Sequence, residues 1–386
     1  MDNSKVGRAG RYIKQLEGYK AFIPKPLPPD PPIEIDDSMQ TLLSQAELSL
    51  GRLDGSILTL PDPDLFVFMY IRKEAVLSSQ IEGTQSSLND VLEAEAKIFS
   101  RSTQSRDVGE VLNYVNAMNY GLKRLQTLPV SVRLIREIHK RLLKDVRGSK
   151  CQPGELRTTQ NWIGPSRCSL MEATFVPPPP SEVPKALSDW ERFLHDNQKL
   201  PFLIKVGLAH AQFETIHPFL DGNGRIGRLL ITFLLCERDI LRKPVLYLSY
   251  YFKRHRQQYY DLLQAVRDLG DWESWLKFFL KGIVEVSQEA AATAKKIVEL
   301  REAHRTLIIE QFGRVAGNGL KVLESLYSGP IISVNDVAQM TKTSFTAANK
   351  LTQKFVEQGL LSEITGQTRN RQFRYDAYID LFADER

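Results

Sequence analysis

Residues 217–228 read HPFLDGNGRIGR: a histidine, an acid, an asparagine, three glycines and two arginines within twelve positions. The stretch before it, IKVGLAHAQFETI (204–216), puts Val206, Ala209, Phe213 and Ile216 at helical spacing. The stretch after it does the same with Ile226, Leu229, Leu230 and Phe233. Two apolar helices joined by a polar turn point to a mainly α fold. In the turn, Gly222 and Gly224 have no Cβ to forbid unusual dihedrals, so backbone N–H groups can converge on one point. The second helix adds unpaired N–H groups and the positive end of its dipole, an anion site suited to phosphate. Arg225 and Arg228 are three apart and leave the first turn on one face; two guanidiniums suit a polyphosphate. Asp221 offers a hard oxygen where Mg²⁺ would bridge carboxylate and phosphate. Histidine is the residue type that titrates near neutrality, so His217 is the candidate general base. These parts imply nucleotide binding and transfer to a hydroxyl.

The same twelve residues resemble the signature of the Fic family (filamentation induced by cAMP), HPFx[D/E]GNGRxxR, with every specified position filled. The resemblance implies an α-helical bundle with a small β-hairpin flap. It implies a reaction in which AMP moves from ATP to a Ser, Thr or Tyr hydroxyl of a target protein. On that resemblance His217 deprotonates the hydroxyl and Asp221 holds Mg²⁺ (or Mn²⁺). Gly222, Asn223 and Gly224 cradle phosphates, Arg225 and Arg228 bind the β and γ groups, and Ile226 and Gly227 complete the nucleotide-binding stretch. The related Doc branch departs at GNGR and transfers phosphate; this chain keeps GNGR, which favours AMP transfer. A zinc-hydrolase reading stands beside this one: His210, Glu214 and His217 at i, i+4 and i+7 can line one helix face. The spacing is not HExxH, and Pro218 bends the chain after the last of them.

Upstream, SSQIEGTQ (78–85) closes a helical pattern, with Gly83 placed to take the left-handed turn that ends helices. Glu82 there meets the unfavourable end of a helix dipole, so a nearby cation is expected. Ser78, Glu82 and Gly83 are similar to the family's inhibitory motif, [S/T]xxxE[G/N]. The resemblance implies that Glu82 pairs with Arg228 and fills the space of the ATP γ-phosphate. Between two further helix candidates (133–145 and 182–196), TTQNWIG and ATFV are β-prone runs around Gly164 and Pro165. They predict a hairpin where the family carries its flap, with Trp162, Ile163 and Gly164 at the target. Tyr259 and Tyr260 lie on a predicted helix where the family has aromatics near adenine.

The chain has 386 residues, 42% apolar and 25% charged, with a net charge of +5, so no inference rests on bulk basicity. MDNSKVGRAGRYIKQLEGYK has no apolar signal-peptide core, and LLITFLL from Leu229 falls far short of the roughly 20 residues of a membrane span. No membrane contact is expected. Cys151, Cys168 and Cys236 share no metal or redox spacing and read as free thiols in a reducing cytoplasm. KPLPPDPP (25–32) reads as an extended strap. A helical pattern runs from Ser38 to about Leu125, broken by LPDPD near 60–64; others cover 256–282 and 287–310, ending at Gly317-Asn318-Gly319.

The last seventy residues order as helix, turn, helix, hairpin, with Ser333 as a cap, Gly359 as a stop, and strands around LLSEI and RQFRY. That order resembles a winged helix, whose second helix commonly enters a DNA major groove. Between Lys342 and Arg374 six basic residues (342, 350, 354, 369, 371, 374) face two acids (357, 363), a local balance of +4. DNA and protein partners both fit, and a homodimer is left open. The chain thus divides into an N-terminal helical region with the inhibitory helix (1–100), a Fic core (101–285), a helical connector (286–316) and a winged helix (317–386). The functional expectation is an autoinhibited protein adenylyltransferase. Two alternatives remain: a de-AMPylase in which Glu82 orients water, and a DNA-binding regulator using the core as a nucleotide sensor.

Overall fold

The computed structural model describes residues 7–58, 63–96, 105–165, 167–196 and 200–383. An antiparallel hairpin, β1 (Gly10–Lys14) and β2 (Lys20–Pro24), opens the chain with Tyr12 opposite Phe22. Four helices follow: α1 (Asp37–Leu58), α2 (Pro63–Ile81), α3 (Leu88–Glu95) and α4 (Arg106–Leu125). The central part holds α5 (Val132–Leu142), α6 (Val183–His195), α7 (Phe202–Ile216), α8 (Asn223–Glu237), α9 (Ser249–Arg254) and α10 (Arg256–Leu269). A forty-residue helix, α11 (Trp272–Gln311), leads to α12 (Ala316–Leu326), β3 (Ile331–Ser333), α13 (Val334–Thr341) and α14 (Phe345–Glu357). The chain closes with β4 (Ser362–Glu363), β5 (Gln372–Arg374) and α15 (Asp376–Ile379).

The core is built around α7, buried at every position from Leu203 to Ile216. A helix with no solvent face must be walled in, and α6, α8, α10 and α11 supply the walls. Trp190 and Trp275 donate their indole N–H groups to the α7 carbonyls of Ala209 and Gly207 at 2.8 and 2.9 Å. Outside this centre α1 lies along α11, and α2 packs against α4 and α9. Local chemistry sets the starts: Ser131 caps α5, while Ser87 with Asp90 and Ser333 with Asp336 form capping boxes on α3 and α13. Among the described residues no helix is long and apolar enough to cross a membrane.

Several expectations need correction. The flap is not a hairpin ladder: Ile163 and Phe175 form a single antiparallel bridge. Pro165 on one side and Pro177 to Pro180 on the other have no N–H to extend it, and a short 3-10 turn, Leu170–Glu172, takes up the loop. The β1–β2 hairpin was not expected; the Phe22 N–H donates to the Val176 carbonyl at 2.9 Å and joins β2 to the flap. The helix expected over 256–282 breaks at Gly270, where φ is +67°. The stretch 286–311 is the second part of α11 rather than a separate connector helix. Gly317-Asn318-Gly319, expected as a boundary, lies inside α12, and the turn comes earlier at Gly313 (φ +56°). Gly319 is needed within that helix, because a Cβ there would come within 2.9 Å of Ile308 and 3.0 Å of the Phe312 ring. Part of the LPDPD break, residues 60–62, lies outside the described residues.

The C-terminal strands form a three-stranded antiparallel sheet in the order β3-β5-β4 beside α12, α13 and α14. The end of the chain returns to the core, where Phe382 meets Tyr70 of α2 edge-on at 5.1 Å.

Candidate active site

His217 ends α7 in the left-handed conformation (φ 49°, ψ 61°), its N–H donating to the Phe213 carbonyl at 2.9 Å. Its own carbonyl accepts from Arg157 Nε at 2.8 Å and Asn161 Nδ2 at 3.3 Å, which fixes the turn from outside. Nδ1 lies 3.3 Å from the Glu214 carbonyl oxygen. A carbonyl can only accept, so this partner assigns the ring proton to Nδ1 and leaves the lone pair on Nε2. Burial, then the nearby Arg267 and Arg157, pull the His217 pKa down to about 3. The imidazole is neutral at physiological pH and able to take a proton.

The loop after His217 is shaped by Asn223. Its Oδ1 accepts the Phe219 N–H and its Nδ2 donates to the Phe219 carbonyl, both at 2.8 Å. Gly222 takes φ +80° at the N-cap, and the first helical bond runs from the Ile226 N–H to the Gly222 carbonyl at 3.0 Å. The N–H groups of Asn223, Gly224 and Arg225 therefore precede the intrahelical ladder and point out of the helix end. Asp221 Oδ1 accepts the Gly222 N–H at 2.6 Å and lies 3.6 Å from Arg225 Nη2. His139, a buried residue on α5 that the sequence did not single out, donates from Nε2 to the Asp221 carbonyl at 2.9 Å. Its Nδ1 accepts the Gly154 N–H at 2.8 Å, and its ring stacks on Phe219 at 3.8 Å. Burial pulls its pKa down to about 4. A lone histidine among apolar positions of a helix gave no signal of this role.

The two arginines part company. Arg225 is buried in the seam between α8 and α4, with Nη1 on Glu110 at 2.9 Å and Nη2 3.6 Å from Asp221 Oδ1. Arg228 faces the end of α2: Nε donates to Ser78 Oγ at 2.8 Å, and Nη2 donates to the Ser78 carbonyl at 2.9 Å and to Glu82 Oε1 at 2.7 Å. Glu82 follows the last residue of α2, and Gly83 turns the chain with φ +99°. Burial is the largest single influence and works against the Glu82 carboxylate, but the Arg228 charge and hydrogen bond, with Arg225 and His217, together hold the pKa below the ordinary range. Glu82 Oε1 also occupies the space beside Gly224, where a Cβ would lie 2.3 Å away. A carboxylate thus sits at the N-terminus of α8, on Arg228.

The remaining candidates are less close-knit. Tyr259 is core: its hydroxyl donates to His210 Nε2 at 2.9 Å within a cluster of Phe252 and Trp275, while the adjacent Tyr260 is half-buried. The expected tyrosine pair is therefore not open on both rings. His210 Nδ1 donates to the Gly227 carbonyl at 2.9 Å, so both its nitrogens are used. The zinc triad does not assemble, and no group of three or more His, Cys, Asp or Glu among the described residues could hold a metal ion. In the flap, Trp162 is 42% exposed and its indole N–H donates to the Cys168 carbonyl at 3.0 Å. A Cβ on Gly164 would come within 2.6 Å of Cys168 Sγ.

A glycine loop, a helix N-terminus and a neutral histidine in sequence are an arrangement with N–H donors open to an anion. Residues 40–123 match the model described as Fic/DOC family N-terminal, and residues 129–235 match the Fic/DOC family model. Over these residues the chain belongs to the Fic/DOC family. It is 31% identical over 204 residues to the protein adenylyltransferase Fic of Drosophila grimshawi, covering 51% of this chain and 38% of that one. With the protein of the same name from Aedes aegypti it shares 29% over 197 residues, covering 50% and 35%. The match thus spans less than two fifths of either relative. A Fic family protein from Desulfovibrio desulfuricans G20 superposes with a TM-score of 0.57 at 19% identity, over 89% of this chain and 97% of that one. A single-substitution variant of Fic-1 from C. elegans gives 0.50 at 21% identity, over 66% of this chain and 72% of that one. These likenesses establish the fold.

Proposed function

We propose that the chain is a protein adenylyltransferase held inactive by Glu82. The observation that carries this reading is the Glu82 carboxylate on Arg228 and against Gly224, an anion already seated at the end of α8. Removal of that side chain opens the same donors to the phosphates of ATP. The target hydroxyl loses its proton to His217 Nε2, and its oxygen bonds to the α-phosphorus. The bond from that phosphorus to the bridging oxygen breaks, and pyrophosphate leaves. Asp221 keeps about a third of its side chain open, and Oδ1 is held by the Gly222 N–H. Asp221, whose Oδ2 lies beside Gly148, would hold Mg²⁺ (or Mn²⁺), which would supply positive charge against the phosphates. Arg225 in this reading shapes the loop through Glu110 rather than binding phosphate, while Trp162 offers the target an exposed edge.

The test is incubation of cell lysate with base-labelled ATP and the parent, Glu82→Gly or Glu82→Gly/His217→Ala chain. Label on proteins with Glu82→Gly, weak label with the parent and none with the double variant support the reading, and mass spectrometry identifies an added adenylyl group. Loss of such groups from pre-modified protein, with no transfer, favours the reverse reaction. The element order from α12 to β5 supports reading residues 317–386 as a winged helix. Duplex-DNA binding that weakens with salt, and on charge reversal at exposed Lys350 and half-buried Arg371, supports a nucleic-acid partner for it.

A further inference from the structure

Glu214 is buried one turn before His217, and its two carboxyl oxygens are differently placed. Oε2 lies 4.0 Å from His217 Nδ1. Oε1 is buried without a hydrogen-bond partner. The space for Oε1 exists because position 227 is glycine: a Cβ there would lie 2.2 Å from it.

We propose that Glu214 is the positioning residue for His217: its carboxylate faces Nδ1–H, holds the tautomer with Nε2 free, and balances the imidazolium formed when Nε2 takes the target proton. This inference rests on the reading of His217 as the base. The backbone alone holds the tautomer weakly. The Glu214 carbonyl is 3.3 Å from Nδ1, and it is shared with Arg267 Nη2, also at 3.3 Å. Arg267 donates as well to Thr215 Oγ1 at 3.2 Å, so the last turn of α7 is fixed while the carboxyl next to Nδ1 is not.

The proton stays on Nδ1 throughout, and the one gained from the target hydroxyl sits on Nε2. Every group that faces the Glu214 carboxyl bears on its charge. These are Arg228 of α8, Glu82 after α2, Arg267, Tyr259 and Tyr260 of α10, and His210 and His217 of α7. Burial pushes its pKa up to about 7, Arg228 and Arg267 lower it, and Glu82 raises it. The active, ionised form is therefore gained as pH rises through the neutral range. His217 cannot supply that limb, because its own pKa lies at about 3.

The experiment uses the full chain in the Glu82→Gly background, with kcat and KM for ATP measured from pH 5 to 9. The expected results are a rise in kcat with pH in that background, centred below about 7 because Glu82 no longer raises the Glu214 pKa, and its loss in Glu214→Gln with kcat lowered about ten- to hundredfold and KM within about twofold. Glu214→Asp, which keeps the charge, is expected to restore part of kcat and the limb. A profile flat from pH 5 to 9 with Glu214 intact overturns the proposal without any second substitution. A Glu214→Gln variant with unchanged kcat and an intact limb also overturns it, while an inactive His217→Ala control leaves the reading of the base standing. If His217→Ala retains activity, the reading of the base falls and this inference with it.

Discussion

Asn223 gives the loop its shape by closing on both main-chain groups of Phe219. Asn223→Ala takes the partner from the Phe219 N–H, while the carbonyl keeps Asn161 Nδ2 at 2.8 Å, and a loss of about 1–3 kcal/mol is expected. Chemical denaturation of the two proteins checks it, and an unchanged midpoint contradicts it. Glu82 carries a pH prediction with a definite sign. Its pKa is depressed below the ordinary value of 4.5 by Arg228, so the pairing is complete above 4.5 and lost only as pH falls through the depressed value. ATP affinity of the parent is expected to stay flat from pH 8 to 5; a release of inhibition near neutrality would contradict the assignment. At this scale the twelve contiguous residues were legible because chemistry at one helix end is encoded side by side. Glu110 and His139 were not, since a single buried polar residue in an amphipathic helix looks the same whether it braces a loop or merely packs. The Glu110 partner of Arg225 was hidden for a related reason: spacing places a side chain on a face, but this partner comes from α4, 115 residues away.

Helices were read well from apolar spacing and from breakers, because α7 and α8 repeat the pattern over four turns each. Short strands were not. β1 and β2 are five residues each and are held by Phe22 packing under Tyr12 and beside Phe175, contacts that no local pattern announces. The flap was over-read, since β-propensity in TTQNWIG and ATFV says nothing about how many ladder bonds the prolines allow. The contact between the end of α2 and the start of α8 gives an element-scale prediction. Gly224→Ala sets a Cβ 2.3 Å from Glu82 Oε1 and 2.9 Å from Arg228 Nη1. It should destabilise the parent by about 1–3 kcal/mol, and clearly less in the Glu82→Gly background, where one of the two clashes is gone. Denaturation of the four proteins gives the coupling directly, and strict additivity would place the two elements apart.

Across the whole molecule, α11 ties the parts together. It runs unbroken beside α1 and α7, and its far end packs on α12, while Phe382 brings the end of the chain back to Tyr70 on the helix that carries Ser78. Such continuity predicts one cooperative unfolding transition, lowered by about 3–5 kcal/mol in Phe382→Ala; two separate calorimetric transitions would contradict it. The glycine cluster expected as a boundary lies instead inside α12, where Gly319 packs against Ile308 and Phe312.

The most direct test of the central claim is calorimetric titration of ATP with Mg²⁺ into the parent, Glu82→Gly and Glu82→Gly/Arg228→Ala chains. The account predicts weak binding by the parent, binding at least about tenfold tighter when Glu82 is removed, and loss of that gain when Arg228 is also removed. Equal affinity in the parent and Glu82→Gly would mean that the carboxylate does not occupy the phosphate site.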